Sequence, residues 1–452
     1  MDFTPHTDPE IAEMLRVIGV SSIDDLFQEV PEVARILRGL DLPAGLSEAE
    51  VEERVRGLAD RNPMGAVVSF LGAGAYDHYI PAAVDHLVSR GEFLTSYTPY
   101  QAEVSQGTLQ AQFEYQTMVA GLLGMDVANA SMYEGATACA EAALMCQRHT
   151  RRRRVLVSRA VHPQYRDVLK TYLGPEAIQE IPWDARGSTD LAALQAALGP
   201  EVGGVVLQSP NFFGVIEDLA PVAHLVHEAG ALLVATFTEA LAFGLVEAPG
   251  VQGADLAAGE GQSLGIPLSF GGPYVGFFAV KQPFVKGMPG RLIGMTRDAR
   301  GNRCFTLTLA AREQHIRRER ASSNICTNEG LCALRVAIHL SLLGREGFRR
   351  LARYNHHRAV VVERRLAAIP GVEAAFDGPI FNEFVLRVPG RAAALVEEGT
   401  KRGLVPGLAL GRFHQDLADC LLVTVTERRG DGDIDRLEVL FREVLASREQ
   451  LP

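Results

Sequence analysis

Lysine is scarce in this chain. Of the 44 lysine and arginine residues among its 452 residues, only Lys170, Lys281, Lys286 and Lys401 are lysines. An enzyme that forms a Schiff base through its own side chain needs a lysine amine at a fixed place in the active site. That chemistry is therefore excluded for this chain on its own unless one of the four lysines stands at such a place.

Patterns for metal sites and disulfides are also lacking. The six cysteines form no C-x-x-C pair, which excludes the zinc-ribbon and disulfide-framework patterns. Cys139 and Cys146 are spaced to share one helix face, and we expect buried thiols there. The adjacent His356 and His357 have no carboxylate or cysteine partner at ligand spacing, so we predict no metal site.

Long apolar runs and an excess of positive charge are absent as well. The formal net charge of -11 argues against a nucleic acid as the main partner. No stretch approaches the ~20 apolar residues that cross a bilayer. The first six residues lack the basic start and apolar core of a secretory signal. We expect a cytoplasmic protein that binds neither membrane nor nucleic acid.

What the chain does contain is the pattern of an α/β protein. Residues 1–62 predict a helical arm, in which Ser47 and Glu50 form an S-x-x-E capping box. Residues 63–330 predict a large α/β domain with a mostly parallel sheet, because short apolar runs alternate with helical patterns. Residues 331–452 predict connecting helices and a smaller carboxyl-terminal α+β domain.

The individual elements follow from hydrophobic periodicity and from glycine or proline breaks. The strand candidates of the large domain are 126–129, 155–157, 178–181, 204–207, 231–235 and 275–280. The main helix candidates are 107–123, 329–343, 346–366 and 392–402, with strands at 384–388 and 421–426 and a closing helix from Asp433.

Residues 129–138 combine a strand end, a turn and the start of a helix of small residues. A helix amino terminus with free amides is a ready phosphate site, and the cofactor phosphate of pyridoxal-phosphate enzymes with the aspartate-aminotransferase fold sits at this place. Glu134 carries a charge that opposes a phosphate, so close packing is the favoured explanation. Whether an anion pocket remains between Ser131 and Thr137 is open.

Two further features of such enzymes are missing. The strand at 231–235 is usually followed by an aspartate that pairs with the pyridine nitrogen, yet no aspartate occurs between Asp218 and Asp255. The Schiff-base lysine is expected within 255–265, where Gln262 is the nearest candidate for its position. Lys281 and Lys286 follow the next strand, too late to reach a cofactor at the carboxyl edge of the sheet.

Six segments of the sequence are distinctive: 69–76 (SFLGAGAY), 97–107 (YTPYQAEVSQG), 124–131 (GMDVANAS), 209–214 (SPNFFG), 269–274 (SFGGPY) and 312–319 (REQHIRRE). These segments resemble the P-protein of the glycine cleavage system, and in particular the alpha chain of its split, two-chain form. They span roughly residues 60 to 330, and the resemblance extends over the whole chain.

The resemblance implies an aspartate-aminotransferase-like fold, that of pyridoxal-phosphate fold type I. It also implies assembly with a homologous beta chain, as α2β2, that carries the Schiff-base lysine and binds the pyridoxal phosphate. The implied reaction is decarboxylation of glycine, with transfer of the aminomethyl group to the lipoyl arm of the H-protein. No catalytic or cofactor-binding residue is then expected on this chain.

Some residues of this chain are candidates for a shared active site or for the subunit interface. They come from three features of the sequence: a tyrosine-containing loop that could cross to a neighbour's cofactor, an arginine that could clamp a carboxylate, and a compact cationic group. The candidates are Tyr97, Tyr100, Glu103, Arg291, His315, Arg317 and Arg318. The structural alternatives are aromatic packing at an interface, an ion pair of Arg291, and a salt-bridge network between subunits.

Two other functions remain open from the sequence. One is an independent pyridoxal-phosphate enzyme with a relocated lysine, Lys281 or Lys286. The other is a docking scaffold for the H-protein that contributes nothing to the active site.

Overall fold

The computed structural model describes residues 6–35, 40–62, 65 and 67–447. Residue contacts divide the chain into two units, Met1–Gly65 and Ala66–Pro452. The predicted boundary at residue 63 lies outside the described residues, and the one at residue 330 stays a prediction. No helix in the described ranges is long and apolar enough to cross a membrane.

The α-helices are α1 (Asp8–Ile18), α2 (Glu48–Asp60), α3 (Ala82–Val88), α4 (Gly91–Leu94), α5 (Gln106–Leu123), α6 (Gly135–Thr150), α7 (Pro163–Leu173), α8 (Leu191–Ala197), α9 (Leu219–Glu228), α10 (Gln314–Arg317), α11 (Gly330–Ala367), α12 (Ala392–Lys401) and α13 (Asp431–Ala446). The strands are β1 (Val68–Ser69), β2 (Val127–Ala128), β3 (Arg154–Ser158), β4 (Ile178–Ile181), β5 (Val202–Gln208), β6 (Leu232–Phe237), β7 (Leu256–Glu260), β8 (Gly276–Val280), β9 (Leu292–Arg297), β10 (Arg303–Thr308), β11 (Glu373–Ala374), β12 (Glu383–Arg387), β13 (Leu404–Val405), β14 (Leu408–Ala409) and β15 (Cys420–Thr424).

The amino-terminal unit contains α1 and α2. The predicted capping box at the start of α2 is present, because Ser47 Oγ accepts the Glu50 amide and the Glu50 carboxylate accepts the Ser47 amide at 2.8 Å. Reciprocal bonds of this kind satisfy two amides that a helix start leaves without partners. The sequence signal therefore fixes where this helix begins.

A seven-stranded sheet organises the second unit, in the order β2-β8-β7-β6-β5-β3-β4. Neighbours from β7 to β4 are parallel, whereas β8 runs antiparallel to both β7 and β2. The carboxyl ends of β3, β5, β6 and β7 consequently share one edge of the sheet. The carboxyl end of β8 lies at the opposite edge, and this difference decides where the residues after β8 can act.

Both faces of this sheet are buried. Alternate residues of a strand point to opposite faces, so Val205 and Leu207 join the core beneath α5, α9 and α11, while Val206 joins the core beneath α6 and α7. Burial on both sides explains why β5 reads as a continuous apolar run.

The carboxyl-terminal part carries an antiparallel sheet in the order β11-β12-β15-β14. A third core joins it to the second half of α11 and to α12 and α13. Gly344 breaks α11 with a φ of 58° and a ψ of 177°, at the gap predicted between the helices 329–343 and 346–366.

Strand β7 and the hairpin of β9 and β10 were not among the strand candidates. The sequence of β7, Leu256-Ala-Ala-Gly-Glu260, is poor in the β-branched residues typical of strands. Small residues are required there because a neighbouring strand approaches closely: a Cβ on Gly259 would stand 2.3 Å from the Phe237 carbonyl oxygen. Tertiary packing therefore overrides the weak local preference.

Candidate functional site at the carboxyl edge of the sheet

The amino terminus of α6 lies at the carboxyl edge of the sheet, and acidic side chains accept hydrogen bonds from its first-turn amides. The Gly135 amide donates to Glu260 Oε2 at 3.0 Å. The amides of Ala136 and Thr137 donate to the Glu134 carboxylate at 2.6 and 3.1 Å. All three first-turn donors that a phosphate would use are thus bonded to acidic side chains of the chain itself.

Glu260 ends β7 and is buried. Its Oε1 accepts the amides of Gly261, Gln262 and Val275 at 3.0 to 3.2 Å. Burial raises the pKa of Glu260 to about 8, although the amide donors act in the opposite direction. Glu260 therefore links α6, β7 and the segment that leads into β8.

Gln262 follows directly and is 1% exposed. Its Nε2 donates to the carbonyl oxygens of Tyr76 and Ile266 at 3.0 and 2.8 Å, and its Oε1 accepts the Tyr76 amide at 2.8 Å. Both donors of the side-chain amide and its oxygen hold neighbouring backbone. The residue at the expected lysine position is therefore part of the protein framework.

All four lysines lie away from this edge. Val280 of β8 pairs with Leu256 at the start of β7, so Lys281 lies beyond the amino end of β7, level with Asp255 and roughly 17 Å along the strand from Glu260 at ~3.3 Å per residue. Lys281 Nζ donates to the Gly124 carbonyl at 2.8 Å, and Lys286 follows it in a 3-10 helix. The other two lysines form ion pairs on α7 and α12.

A buried tyrosine fills further space at the edge. Tyr76 is 1% exposed, and its hydroxyl donates to Glu383 Oε2 at 2.7 Å and lies 3.0 Å from Thr238 Oγ1. Glu383 also accepts the Ala73 amide at 2.7 Å and the Thr424 hydroxyl at 2.8 Å. Burial raises the pKa of Glu383 to about 7. These bonds tie the segment before α3 to the sheet edge and to β12.

A buried histidine connects two carboxylates beside this tyrosine. His78 Nε2 lies 2.9 Å from Glu239 Oε2, and its Nδ1 lies 2.8 Å from Glu427 Oε2. Burial alone would lower the pKa of His78, but Glu239 and Glu427 raise it to about 10. Burial likewise opposes the ionised Glu427, yet His78 lowers the pKa of that carboxyl to about 2. An imidazolium flanked by two carboxylates results.

Three predicted shared-site residues come together near Ala130, whose amide donates to the Arg291 carbonyl oxygen. Arg291 Nη2 donates to the Tyr100 hydroxyl at 3.0 Å, and the guanidinium carbon lies 5.1 Å from the centre of the Tyr100 ring. The His315 ring meets Tyr100 edge-on at 5.7 Å. Arg291 is 1% exposed, and its nearest carboxylate is Glu313 at 4.0 Å. In the chain as described, its guanidinium orients Tyr100.

The remaining predicted residues are spread out. Tyr97 is 82% exposed and lines a cavity at the start of α11. Glu103 lies in an exposed turn before α5. Arg317 and Arg318 are exposed, and neither guanidinium forms an ion pair within the described residues.

The buried polar residues of this edge were missed as site residues. Tyr76, His78, Glu239, Glu383 and Glu427 come from segments up to 349 positions apart. Tyr76 does end one of the family-like words, but nothing local marks its partners. Within the described ranges, no group of three or more His, Cys, Asp or Glu side chains could hold a metal ion.

The side chains of this edge do not match what a covalently held pyridoxal phosphate requires. A Schiff base needs a lysine amine, and the edge presents Gln262. A phosphate needs free donors, and the amides of α6 already bind Glu134 and Glu260. The pyridine nitrogen needs a carboxylate partner, and the strand end presents Thr236 and Thr238. The carboxylate that follows them, Glu239, is already bonded to His78, Asn382 and the Leu241 amide.

Comparisons with known proteins agree with this architecture. The family model described as glycine cleavage system P-protein matches residues 1–441. A probable glycine dehydrogenase (decarboxylating) subunit 1 from Moorella thermoacetica is 50% identical over 99% of this chain and 100% of its own length. The protein of the same name from Xanthobacter autotrophicus is 51% identical over 98% of this chain and 100% of its own length.

Solved structures give the same picture. The crystal structure of glycine decarboxylase (P-protein) of the glycine cleavage system, in inhibitor-bound form, matches with a TM-score of 0.90 and 46% identity over 98% of this chain and 100% of that chain. Glutamate decarboxylase from Lactobacillus brevis, 12% identical, matches with a TM-score of 0.70 over 94% of this chain and 98% of that chain, which shows the fold alone. The chain therefore belongs to the glycine cleavage system P-protein family and has its pyridoxal-phosphate fold type I architecture.

Proposed function

We propose that this chain is the non-catalytic, homologous subunit of a glycine decarboxylase and holds no pyridoxal phosphate of its own. Its role is to complete and shield the active site of a partner beta chain that carries the cofactor. The observation that carries this proposal is the pair of carboxylates, Glu134 and Glu260, bonded to the amides of α6.

The rest of the carboxyl edge supports the proposal. A chain that used the edge for catalysis would keep it open to substrate, whereas Tyr76 and Gln262 are each 1% exposed and bonded to neighbouring segments. Buried polar groups that satisfy one another give a rigid framework. A rigid, closed edge suits a subunit whose contribution lies on its outer surface.

The outer surface offers the residues that the proposal assigns to the shared site. Tyr97 is 82% exposed, and Tyr100 is 52% exposed and oriented by Arg291. We assign these tyrosines to contact with the beta chain beside its cofactor. Arg317 and Arg318, exposed and without a described acidic partner, suit contact with an acidic surface.

The assembled enzyme, as proposed, is α2β2. It decarboxylates glycine and transfers the aminomethyl group to the lipoyl arm of the H-protein. Relatives covering the full length of this chain are named subunit 1 of glycine dehydrogenase (decarboxylating), and that name implies a second subunit.

Two other functions make different predictions. An independent pyridoxal-phosphate enzyme would need Lys281 or Lys286, which lie beyond the amino end of β7. A docking scaffold for the H-protein would tolerate changes of Tyr97 and Tyr100 without loss of turnover in the complex.

Separate purification and mixing of the two chains tests the proposal. We expect no release of carbon dioxide from glycine by this chain alone, and activity after subunit 2 is added. Borohydride reduction followed by peptide mapping should place the phosphopyridoxyl label only on subunit 2. Label on Lys281 or Lys286, or decarboxylation by this chain alone, would refute the proposal.

A further inference from the structure

A cavity of about 480 Å³ lies at the amino terminus of α11, between that helix and α5. Its wall combines apolar side chains, such as Phe93 and Leu334, with the polar groups of Gln112, Thr327 and Glu329. A concave, mostly apolar site with a few converging polar groups is typical of small-molecule binding. The chemistry of those polar groups indicates what kind of molecule fits.

The first turn of α11 supplies hydrogen-bond donors. Glu329 is the N-cap residue, but its side chain accepts no amide of the helix. The amides of Gly330, Leu331 and Cys332 have no acceptor within the described residues, because the first amide bonded back to the cap is that of Ala333. Free amides and the positive end of the helix dipole favour an anionic group at this place.

Gln112 of α5 is an independent sign of a missing ligand. It is only 5% exposed, and its Oε1 is buried without a hydrogen-bond partner. Its Nε2 lies 3.1 Å from the point where a Cβ on Gly330 would stand, so the amide faces the start of α11. Nε2 also forms no hydrogen bond within the described residues. Leaving such a donor unpaired costs on the order of 1–3 kcal/mol, and an acceptor bound in the cavity would remove that cost.

The cavity also contains a negative group. The half-buried carboxyl of Glu329 lines it, beside the free amides. A plain anion such as phosphate would meet this carboxylate, whereas a molecule with both an anionic and a cationic end would use the amides and the carboxylate together. The polar wall is therefore complementary to a zwitterion.

We propose that this cavity binds a small α-amino acid. Its carboxylate accepts the free amides of α11 and Gln112 Nε2, and its ammonium donates to Glu329. The inference rests on the proposed function only in the choice of glycine as the probe, because glycine is the substrate expected for the complex.

Calorimetric titration of the purified full-length chain with glycine, acetate, methylamine and inorganic phosphate tests this site. We expect glycine to bind, and acetate and methylamine to bind at least about tenfold more weakly, because each loses one charge-assisted interaction. Equal binding of acetate or phosphate would reveal an oxyanion site only and overturn the proposal. So would the absence of glycine binding.

Variants locate the site. Gln112→Leu should weaken glycine binding at least about tenfold, since it removes the side-chain donor to the ligand carboxylate. Gln110→Leu on the same helix, whose wild-type side chain bonds Glu114, is the matched control and should bind as the wild type does. If Gln112→Leu does not fold, Glu329→Gln takes its place and should abolish the preference for glycine over acetate. Unchanged binding by either variant would overturn the assignment.

This test is separable from that of the proposed function. Failure of the mixed chains to decarboxylate glycine would overturn the proposed function and leave the titration of the isolated chain unaffected. Failure of the titration would leave the mixing experiment unaffected.

Discussion

Replacement of Gln262 by lysine restores the residue type expected of a cofactor-binding chain, and the structure predicts that no Schiff base forms. Lysine has donors but no acceptor, so the Tyr76 amide would lose the oxygen that it binds at 2.8 Å. An unpaired buried amide costs about 1–3 kcal/mol of folding free energy. The new ammonium would also lie where the Gln262 amide now lies, among backbone groups of Tyr76 and Ile266 and 1% exposed, where burial disfavours its charge.

The larger obstacle to cofactor binding lies where the cofactor phosphate would bind. A phosphate at the amides of α6 would replace, or lie beside, the carboxylates of Glu134 and Glu260. Two like charges ~4 Å apart repel by about 4 kcal/mol at an effective dielectric constant of about 20. At about 1.4 kcal/mol for each factor of ten, one ionised carboxylate at this distance weakens phosphate binding about a thousandfold. Glu260, whose pKa is raised to about 8, adds its charge only as the pH rises through 8; at lower pH it blocks the position by occupying the Gly135 amide.

Borohydride reduction in the presence of pyridoxal phosphate, followed by peptide mapping, is the assay. We expect the Gln262→Lys chain to carry no more label at position 262 than a Gln415→Lys control carries at its exposed new lysine. Subunit 2, labelled in parallel, is the positive control. Stoichiometric label at position 262 of the single variant would show that Glu134 and Glu260 do not block the site, and the electrostatic reasoning would be wrong.

Three further outcomes follow from the same geometry. His78→Gln leaves the Glu239 and Glu427 carboxylates without their buried cation. In denaturant titrations it should lower the free energy of unfolding by about 3–5 kcal/mol. In the wild type, where the folded pKa of His78 is about 10, the stabilisation by His78 should be complete below pH 6.5 and be lost as the pH rises through 10. The pKa of Glu383 is raised from 4.5 to about 7 in the folded chain. The free energy of unfolding of the wild type should therefore fall by about 1.4 kcal/mol per pH unit between pH 4.5 and 7, and Glu383→Gln should abolish this fall. The same dependence of unfolding free energy on pH in both proteins would contradict the assignment. Tyr97 is 82% exposed, so Tyr97→Ala should leave the thermal midpoint of this chain unchanged. It should lower the turnover of the mixed chains at least about tenfold. Full turnover would favour the function of a docking scaffold for the H-protein.

Most of the sheet could be predicted from the sequence because its strands are buried on both faces. Ile178–Ile181 was predicted with the observed bounds, and β5 and β6 differ from their predictions by one or two residues. Strand β7 could not be predicted in this way, since the close approach of Phe237 to Gly259 selects small residues over β-branched ones. That contact joins positions 22 apart and leaves no local pattern.

For the carboxyl edge of the sheet, the sequence predicted which cofactor-binding residues are missing but not which side chains take their places. Missing lysine and aspartate residues are visible in the sequence, and the charge of Glu134 already argued against a phosphate at α6. The role of Glu260 was not visible, because its bond to the Gly135 amide connects residues 125 positions apart. The clamp of a carboxylate by Arg291 stays a prediction, and in the described chain this residue is 1% exposed and bonds the Tyr100 hydroxyl.

The acidic side chains at the start of α6 are needed because the buried backbone amides there require acceptors. The fold places the start of α6 against the end of β7 so closely that a Cβ on Gly135 would stand 2.7 Å from the Glu260 amide nitrogen. The first-turn amides are therefore buried whether or not a cofactor is present, and buried amides need acceptors. In a chain without a phosphate, side chains of the protein must supply those acceptors, and Glu134 and Glu260 do so. The same side chains then occupy the phosphate position, and we therefore expect a single lysine substitution to leave this chain without bound pyridoxal phosphate.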